Sequence, residues 1–253
     1  MENFNLYAKY YDLLYNEKGY EVETDYIIQL IKKYSSFEVR DILNLGCGTG
    51  KHDYFFNKRG YNVDGVDVSN EMILLANQNY GNLPGVQFFQ GDITKWQQPE
   101  EKKYDVVISL FHVMSYQTSN ESLLSSFHTA YYHLKSGGLF IFDCWYGPGV
   151  FTEKPEVRVK RLDNEEVSVI RISEPKQHYN ENIVDVHFDV HITDKKTNST
   201  EKVHEVHSMR YFFMPELSLF ASLACFEILD FLDWMRYSIP TKNSWNILGV
   251  LKK

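Results

Sequence analysis

The segment Asp41-Ile-Leu-Asn44-Leu-Gly46-Cys47-Gly48-Thr-Gly50 constrains the fold more than any other part of this chain. It reads as a short buried strand running into a glycine-rich turn. Glycines at 46, 48 and 50 let the backbone reverse sharply and let a ligand approach the main chain, where a Cβ would collide. Residues 51–59 have helical spacing and Gly60 is placed to end them, so the turn joins a strand to a helix. Open α/β sheets bind nucleotide-like ligands at such a turn, outside the carboxyl end of the strand. The glycine spacing is GxGxG, and Lys51 stands where a dinucleotide-binding GxGxxG would have its third glycine. No phosphate-binding P-loop pattern occurs.

Strands and helices alternate on both sides of this turn. Ile27, Ile28, Leu30, Ile31 and Tyr34 recur with helical period over 21–34. Residues 61–66 read as a strand. Ser69 reads as the N-cap of a helix to Tyr80, with Glu71 at its positive end. Strands are expected over 86–90 and 104–110, the latter apolar enough to be covered on both faces. A helix over 123–134 is expected to stop at Lys135-Ser-Gly-Gly138 before a strand over 139–144. From about 157 the period changes to two, over 157–162, 167–172, 184–192 and 201–213, with polar turns between. That pattern predicts an antiparallel meander with one wet face. A helix over 215–224 and strands over 226–234 and 246–251 follow. The fold class expected is α/β, a Rossmann-like mixed seven-stranded sheet with helices on both faces, plus an inserted antiparallel β-meander. The domains expected are 1–146 with 214–253, and an insertion over 147–213 that binds substrate, forms a homodimer interface, or does both.

Composition narrows the function classes. With 43% hydrophobic and 24% charged residues the chain is globular rather than disordered. Its formal charge of −8 disfavours nucleic acid or anionic membrane as a partner, because like charges repel. No apolar run approaches the ~20 residues that span a bilayer, and no secretory signal opens the sequence. Cys47, Cys144 and Cys225 are odd in number and widely spaced, which suits unpaired thiols. A cytoplasmic location is expected.

Asp67 ends the second strand, 21 residues after Gly46. A carboxylate there accepts two hydrogen bonds from a ribose diol. Asp92, in Gly91-Asp92-Ile93 after the third strand, can accept from an adenine amino group. Either acid alone could simply cap a strand end. In order after the glycine turn, the two point to an adenosyl cofactor.

The blocks NLGCGTG, GVDVSNEM, QGDI, YDVVISL and LKSGGLFIFD together resemble the class I S-adenosylmethionine-dependent methyltransferases, closely over 38–145. The resemblance implies S-adenosyl-L-methionine as cofactor. It places Gly46, Gly48 and Gly50 on the methionine part, Asp67 on the ribose and Asp92 with Ile93 at the adenine; Asn44, Cys47, Val68, Met72, Leu110 and Tyr11, on an N-terminal segment that can lid the site, are further expected cofactor contacts. Family members often carry Asp where this chain has Asn44. That exchange removes a negative charge from the hold on the methionine ammonium.

YAKYYDLLY, FHVMSYQ and DCWYGPGVF, with the inserted meander, resemble the N-methyltransferases of nucleotide-linked amino sugars. The acceptor implied is an amino or hydroxyl group of a nucleotide-linked sugar. Another small metabolite or a lipid-like acceptor remains an alternative, as does a non-catalytic cofactor-binding protein. An amine must be neutral to attack the donor methyl, and a hydroxyl usually needs a base. His112, leaving the fourth strand, is the candidate general base, and Tyr15 the candidate steering hydroxyl. Tyr116, Trp145 and Tyr146 are candidate platforms for a sugar ring. Arg158, in a locally basic stretch, and Arg210 are candidate contacts for a diphosphate. His187, Asp189 and His191 would share one strand face, but a wet polar face accounts for them and no metal is expected.

Overall fold

The computed structural model describes residues 18–98 and 100–253; Tyr11 and Tyr15 lie outside them. The chain divides into two compact units. One comprises Tyr20–Glu153 and Tyr211–Lys253, and the other includes Lys154–Arg210.

The first unit carries α1 (Tyr20–Tyr34), β1 (Asp41–Leu45), α2 (Lys51–Lys58), β2 (Asn62–Asp67), α3 (Asn70–Tyr80), β3 (Val86–Gln90) and β4 (Tyr104–Ser109). A 3₁₀ turn (Val113–Tyr116), α4 (Asn120–His133), β5 (Leu134–Tyr146) and α5 (Gly147–Thr152) follow. After the second unit come α6 (Met214–Leu223), β10 (Glu227–Asp233) and β11 (Asn246–Lys252). β1 pairs in parallel with β2 and β4; β3 adds to β2, and β5 to β4, also in parallel. β11 runs antiparallel on β5, and β10 antiparallel on β11. Among the described residues this gives the order β3-β2-β1-β4-β5-β11-β10. Strand order reverses between β1 and β4, where an α/β sheet opens a crevice for a ligand.

Both faces are covered because the central strands are apolar on both. Leu43, Leu45, Val107, Phe140 and Phe142 pack with Phe127 of α4 and Leu217 and Phe220 of α6. Ile42, Val63, Ile108, Ile141 and Val250 pack with Ile27, Leu30 and Ile31 of α1 and Phe56 of α2. Helix ends follow local chemistry. α1 has Glu21 and Glu23 in its first turn and Lys32 and Lys33 in its last. Ser69 Oγ accepts the Met72 N–H at 3.2 Å at the start of α3, and Ser119 Oγ accepts the Ser122 N–H at 3.1 Å at the start of α4.

β5 begins earlier than sequence periodicity suggests. It starts at Leu134, directly after α4, and Lys135-Ser-Gly-Gly138 lies within it rather than in a turn. Gly137 takes φ +78°, the ladder to β4 shifts register between Tyr104 and Val106, and the last residue holds the glycines in place. The Gly137 N–H donates to Lys253 O at 2.9 Å and the Lys253 N–H to Gly138 O at 3.0 Å. At its other end β5 outruns β4, so Trp145 and Tyr146 belong to the strand and pair in parallel with Tyr211 and Phe212.

The second unit is an antiparallel meander of β6 (Arg158–Asp163), β7 (Val167–His178), β8 (Ile183–Asp194) and β9 (Thr200–Phe212), the last two residues of β9 lying in the first unit. Val167, Val169, Val190 and Ile192 are buried together on one face. His187, Asp189 and His191 alternate onto the other face, where Asp189 Oδ1 lies 2.8 Å from His204 Nδ1. Among the described residues no three metal-ligating side chains converge, and no helix is long and apolar enough to cross a membrane.

Candidate active site

The glycine turn is held open by its own backbone. Gly46, Gly48 and Gly50 take φ of +85°, +54° and +76°, a region that side chains with a Cβ rarely enter. The N–H groups of Gly46 and Cys47 both donate to Val66 O, at 2.7 and 2.9 Å, which ties the turn to the end of β2. A Cβ on Gly46 would come within 2.4 Å of the Val113 side chain, so the turn and the chain leaving β4 are in intimate contact.

Asp67 closes one side. Its Oδ2 accepts the Gly48 N–H and its Oδ1 the Ser69 N–H, both at 2.9 Å. A carboxylate has about four acceptor sites, so two remain for a diol. Burial pushes its pKa up, against the opposing pull of these hydrogen bonds. Val68 beside it is exposed and Met72 half-buried. The Gly91 N–H donates to Asp67 O at 2.9 Å, joining the ends of β2 and β3. Asp92 follows, with Oδ1 taking the Thr94 N–H and hydroxyl at 2.9 and 2.8 Å. Those bonds hold its pKa below the usual carboxylate range. One oxygen of Asp92 therefore caps its own turn, and the other lies 3.6 Å from Lys95 Nζ. Ile93 and Leu110 are buried at the strand ends.

The exit of β4 carries the candidate base His112. Phe111 and His112 are consecutive non-glycine residues with positive φ, +68° and +64°. Such conformations cost about 1–3 kcal/mol each and persist where surrounding bonds enforce them. Asp143 on β5, fully buried, enforces this one: its two oxygens accept the His112 N–H at 3.1 and 3.2 Å. Asp143 Oδ2 also lies 2.6 Å from His112 Nδ1, off the axis of a ring N–H, so the contact is an ion-pair approach. A proton on Nδ1 facing this carboxylate leaves Nε2 as the unprotonated ring nitrogen. Ser115 Oγ accepts the Trp145 N–H at 2.9 Å. The Trp145 ring stands 6.5 Å from the His112 ring and 5.6 Å from Trp245. Tyr116 is exposed and Tyr146 half-buried at the same end of the sheet.

Asn44 has an unexpected neighbour. Its amide donates to Asp53 Oδ2 at 2.8 Å, so the carboxyl group absent from β1 is present on α2, in contact with it. Sequence reading took the Asn44 exchange as a loss of charge; the tertiary fold returns a carboxyl to the same spot.

The structure thus brings Asn44, Gly46, Cys47, Gly48, Asp67, Leu110, His112, Trp145 and Tyr146 to the carboxyl ends of β1, β2, β4 and β5, with Asp92 and Ile93 after β3. Arg158 is exposed on β6, and Arg210 is buried on β9 opposite Ile183; both belong to the second unit. Asp143, Asp53 and Trp245 were missed in sequence. A lone acid inside the apolar run LFIFDCWY and an acid in the first turn of α2 were their only local signals. The bare turn fits an S-adenosyl group. The buried Asn44 Oδ1 and Asp53 Oδ1 beneath it have no hydrogen-bond partner, which suits a cationic ligand.

Comparison with known proteins places the fold. Residues 42–138 match the model of a methyltransferase domain. The chain is 28% identical over 201 residues to a dTDP-3-amino-3,4,6-trideoxy-alpha-D-glucopyranose N,N-dimethyltransferase of Streptomyces venezuelae, covering 78% of this chain and 81% of that one. An S-adenosylmethionine-dependent methyltransferase from Clostridium acetobutylicum superposes with a TM-score of 0.81 at 22% identity, over 98% of both chains. A sugar N-methyltransferase from a Streptoalloteichus species superposes with a TM-score of 0.79 at 19% identity, over 95% of this chain and 92% of that one. Residues 42–138 are thus similar to a methyltransferase domain, and the chain shares the α/β fold of these solved methyltransferases.

Proposed function

We propose that the protein transfers methyl groups from S-adenosylmethionine to the amino nitrogen of a nucleotide-linked sugar. The observation that carries this reading is the His112–Asp143 pair, set on a strained β4 exit against the glycine turn. The similarity to the Streptomyces amino-sugar enzyme supports the acceptor class. It spans 201 residues, well beyond the methyltransferase domain that enzymes with quite different acceptors share.

S-adenosylmethionine supplies a methyl group on a sulfonium. The glycine turn and Asp67 hold and orient it, and Trp145, with Tyr116 and Tyr146, forms an apolar floor for the sugar ring. The acceptor nitrogen attacks in line with the breaking carbon–sulfur bond, whose electrons stay on sulfur. Alignment and exclusion of water make the largest contribution. The nitrogen gains a positive charge and gives its proton to His112 Nε2, with Asp143 stabilising the imidazolium. Arg158 and Arg210 are assigned to the diphosphate as charge-assisted donors. The three unpaired cysteines suit a cytoplasmic enzyme.

The test is incubation of the protein with S-adenosylmethionine and a panel of dTDP-linked and UDP-linked sugars, with and without amino groups, followed by mass spectrometry. Mono- or dimethylated amino sugars, with S-adenosylhomocysteine formed in step, are expected. Methylation confined to acceptors without an amino group, or none at all, would overturn the proposal.

A further inference from the structure

Beneath the glycine turn lies a buried polar pair with two unused oxygens. Asn44 is the penultimate residue of β1, and Asp53 sits in the first turn of α2. Asn44 Nδ2 donates to Asp53 Oδ2 at 2.8 Å. Asn44 is 1% exposed and Asp53 0%. Each keeps a second oxygen, Asn44 Oδ1 and Asp53 Oδ1, buried and without a hydrogen-bond partner. Stranded acceptors of this kind are costly in a low-dielectric interior, and a proton on the carboxyl or a nearby cation relieves them.

The charged and titratable groups around Asp53 do not supply that cation. Cys47 of the glycine turn lies against it, with its thiol pushed up mainly by burial and secondarily by Asp53. Asp64 and Asp67 of β2 add only negative charge, and Asp64 is already bound to Lys102 at 3.0 Å and to Tyr104 at 2.6 Å. His52, next along α2, lies 2.8 Å from Glu23 of α1. Gly65 of β2 is bare on the side facing Asp53: a Cβ there would meet Asp53 Oδ1 at 2.8 Å. Among the described residues no cation pairs with Asp53. Burial pushes its pKa up to about 7, against the hydrogen bond from Asn44.

We propose that Asp53 is a positioning residue that carries the charge missing from Asn44: acting through Asn44, it faces the cofactor's cation beneath the glycine turn, and cofactor binding is coupled to loss of this one carboxyl proton to solvent. The inference rests on the S-adenosylmethionine reading of the turn. It has a consequence for turnover. Donor and product share the methionine ammonium, and S-adenosylmethionine adds a positive charge at sulfur, so the ionised pair attracts both and the donor more strongly. As pH falls and Asp53 holds its proton, that preference fades.

Calorimetric titration tests the coupling, with S-adenosylmethionine and S-adenosylhomocysteine at about pH 6, 7 and 8 in buffers of different ionisation enthalpy. Wild-type protein is expected to bind S-adenosylmethionine about fivefold or more tightly at the upper end, with proton release, and S-adenosylhomocysteine with a smaller change. Asp53→Asn is expected to remove this increment and the proton release, leaving the affinity near the wild-type value at low pH. The ligand's own α-ammonium begins to titrate near pH 8 in both proteins, so the difference between them is the readout. Carbon-13 NMR of the wild-type carboxyl gives a second readout should the variant not fold. Its titration near pH 7 is expected to move down on adding S-adenosylmethionine. An unchanged pH slope in Asp53→Asn, or a carboxyl titration that ligand does not move, would overturn the coupling while leaving the cofactor reading intact. Absence of S-adenosylmethionine binding by the wild type at every pH would overturn both.

Discussion

His112, the proposed base, is held by its backbone as much as by its side chain. Two successive left-handed residues are sustained by one buried carboxylate that takes the His112 N–H and approaches Nδ1. Replacing His112 with Asn is expected to lower kcat by about 10²–10⁴-fold, the usual worth of a general base, with cofactor affinity unchanged by calorimetry. Asp143→Asn is expected to lower kcat less and also to lower thermal stability, because the strained turn loses a charged acceptor. Asp67→Ala is expected to weaken S-adenosylmethionine binding by about ten- to a hundredfold, read by the same calorimetry, since charge-assisted hydrogen bonds are worth about 1.5–3 kcal/mol. The glycines and Asp67 were legible in sequence because their chemistry depends on local spacing. Asp143 and Asp53 were not, because each acts on a residue that only the fold brings beside it, His112 across β5 and Asn44 across α2.

At the scale of elements, the glycine turn after β1 and the exit of β4 behave as one device. Gly46→Ala places a Cβ at φ +85° and against Val113. A loss of about 1–3 kcal/mol of stability is expected from strain and overpacking, with cofactor binding lost in parallel. Adding Val113→Ala is expected to recover only the steric part, which chemical denaturation of the single and double variants would separate. α4 and β5 meet around a buried neutral histidine. His133 Nδ1 lies 2.8 Å from Thr129 O, and Nε2 accepts the Gln98 N–H at 3.2 Å. Burial lowers its pKa from the ordinary 6.5. The unfolded chain therefore takes up this proton first. The histidine's contribution is full above about pH 6.5 and is lost as pH falls through its lowered folded value. His133→Gln is expected to flatten that part of the stability–pH curve, measured by denaturant midpoints. The alternation of elements was readable from period, since helices and strands differ in spacing. The start of β5 was not, because Lys135-Ser-Gly-Gly138 has the composition of a turn and becomes strand only through its bonds to Lys253.

At the scale of the molecule, a ligand-binding α/β unit is interrupted by a meander. The change of period near residue 157 announced the meander, whereas its ends are set by tertiary pairing. Gly147–Thr152 folds as α5 of the first unit, and Tyr211 and Phe212 pair with the end of β5. Assigning the acceptor's diphosphate to the second unit carries its own expectation. Arg158→Ala and Arg210→Ala should raise KM for a nucleotide-linked sugar about tenfold each, with little change in kcat or in cofactor affinity. Equal losses with the free sugar would show that the arginines do not serve the diphosphate. The whole reading stands on the bare turn at 46–50 and the carboxyl of Asp67 forming one adenosyl groove. A crystal structure of the protein grown with S-adenosylhomocysteine examines that groove. The ribose diol is expected within hydrogen-bond distance of Asp67, with the homocysteine over Gly46 and Gly48 and the sulfur facing His112. A ligand seated elsewhere, or a turn that stays closed to it at saturating concentration, would contradict the assignment.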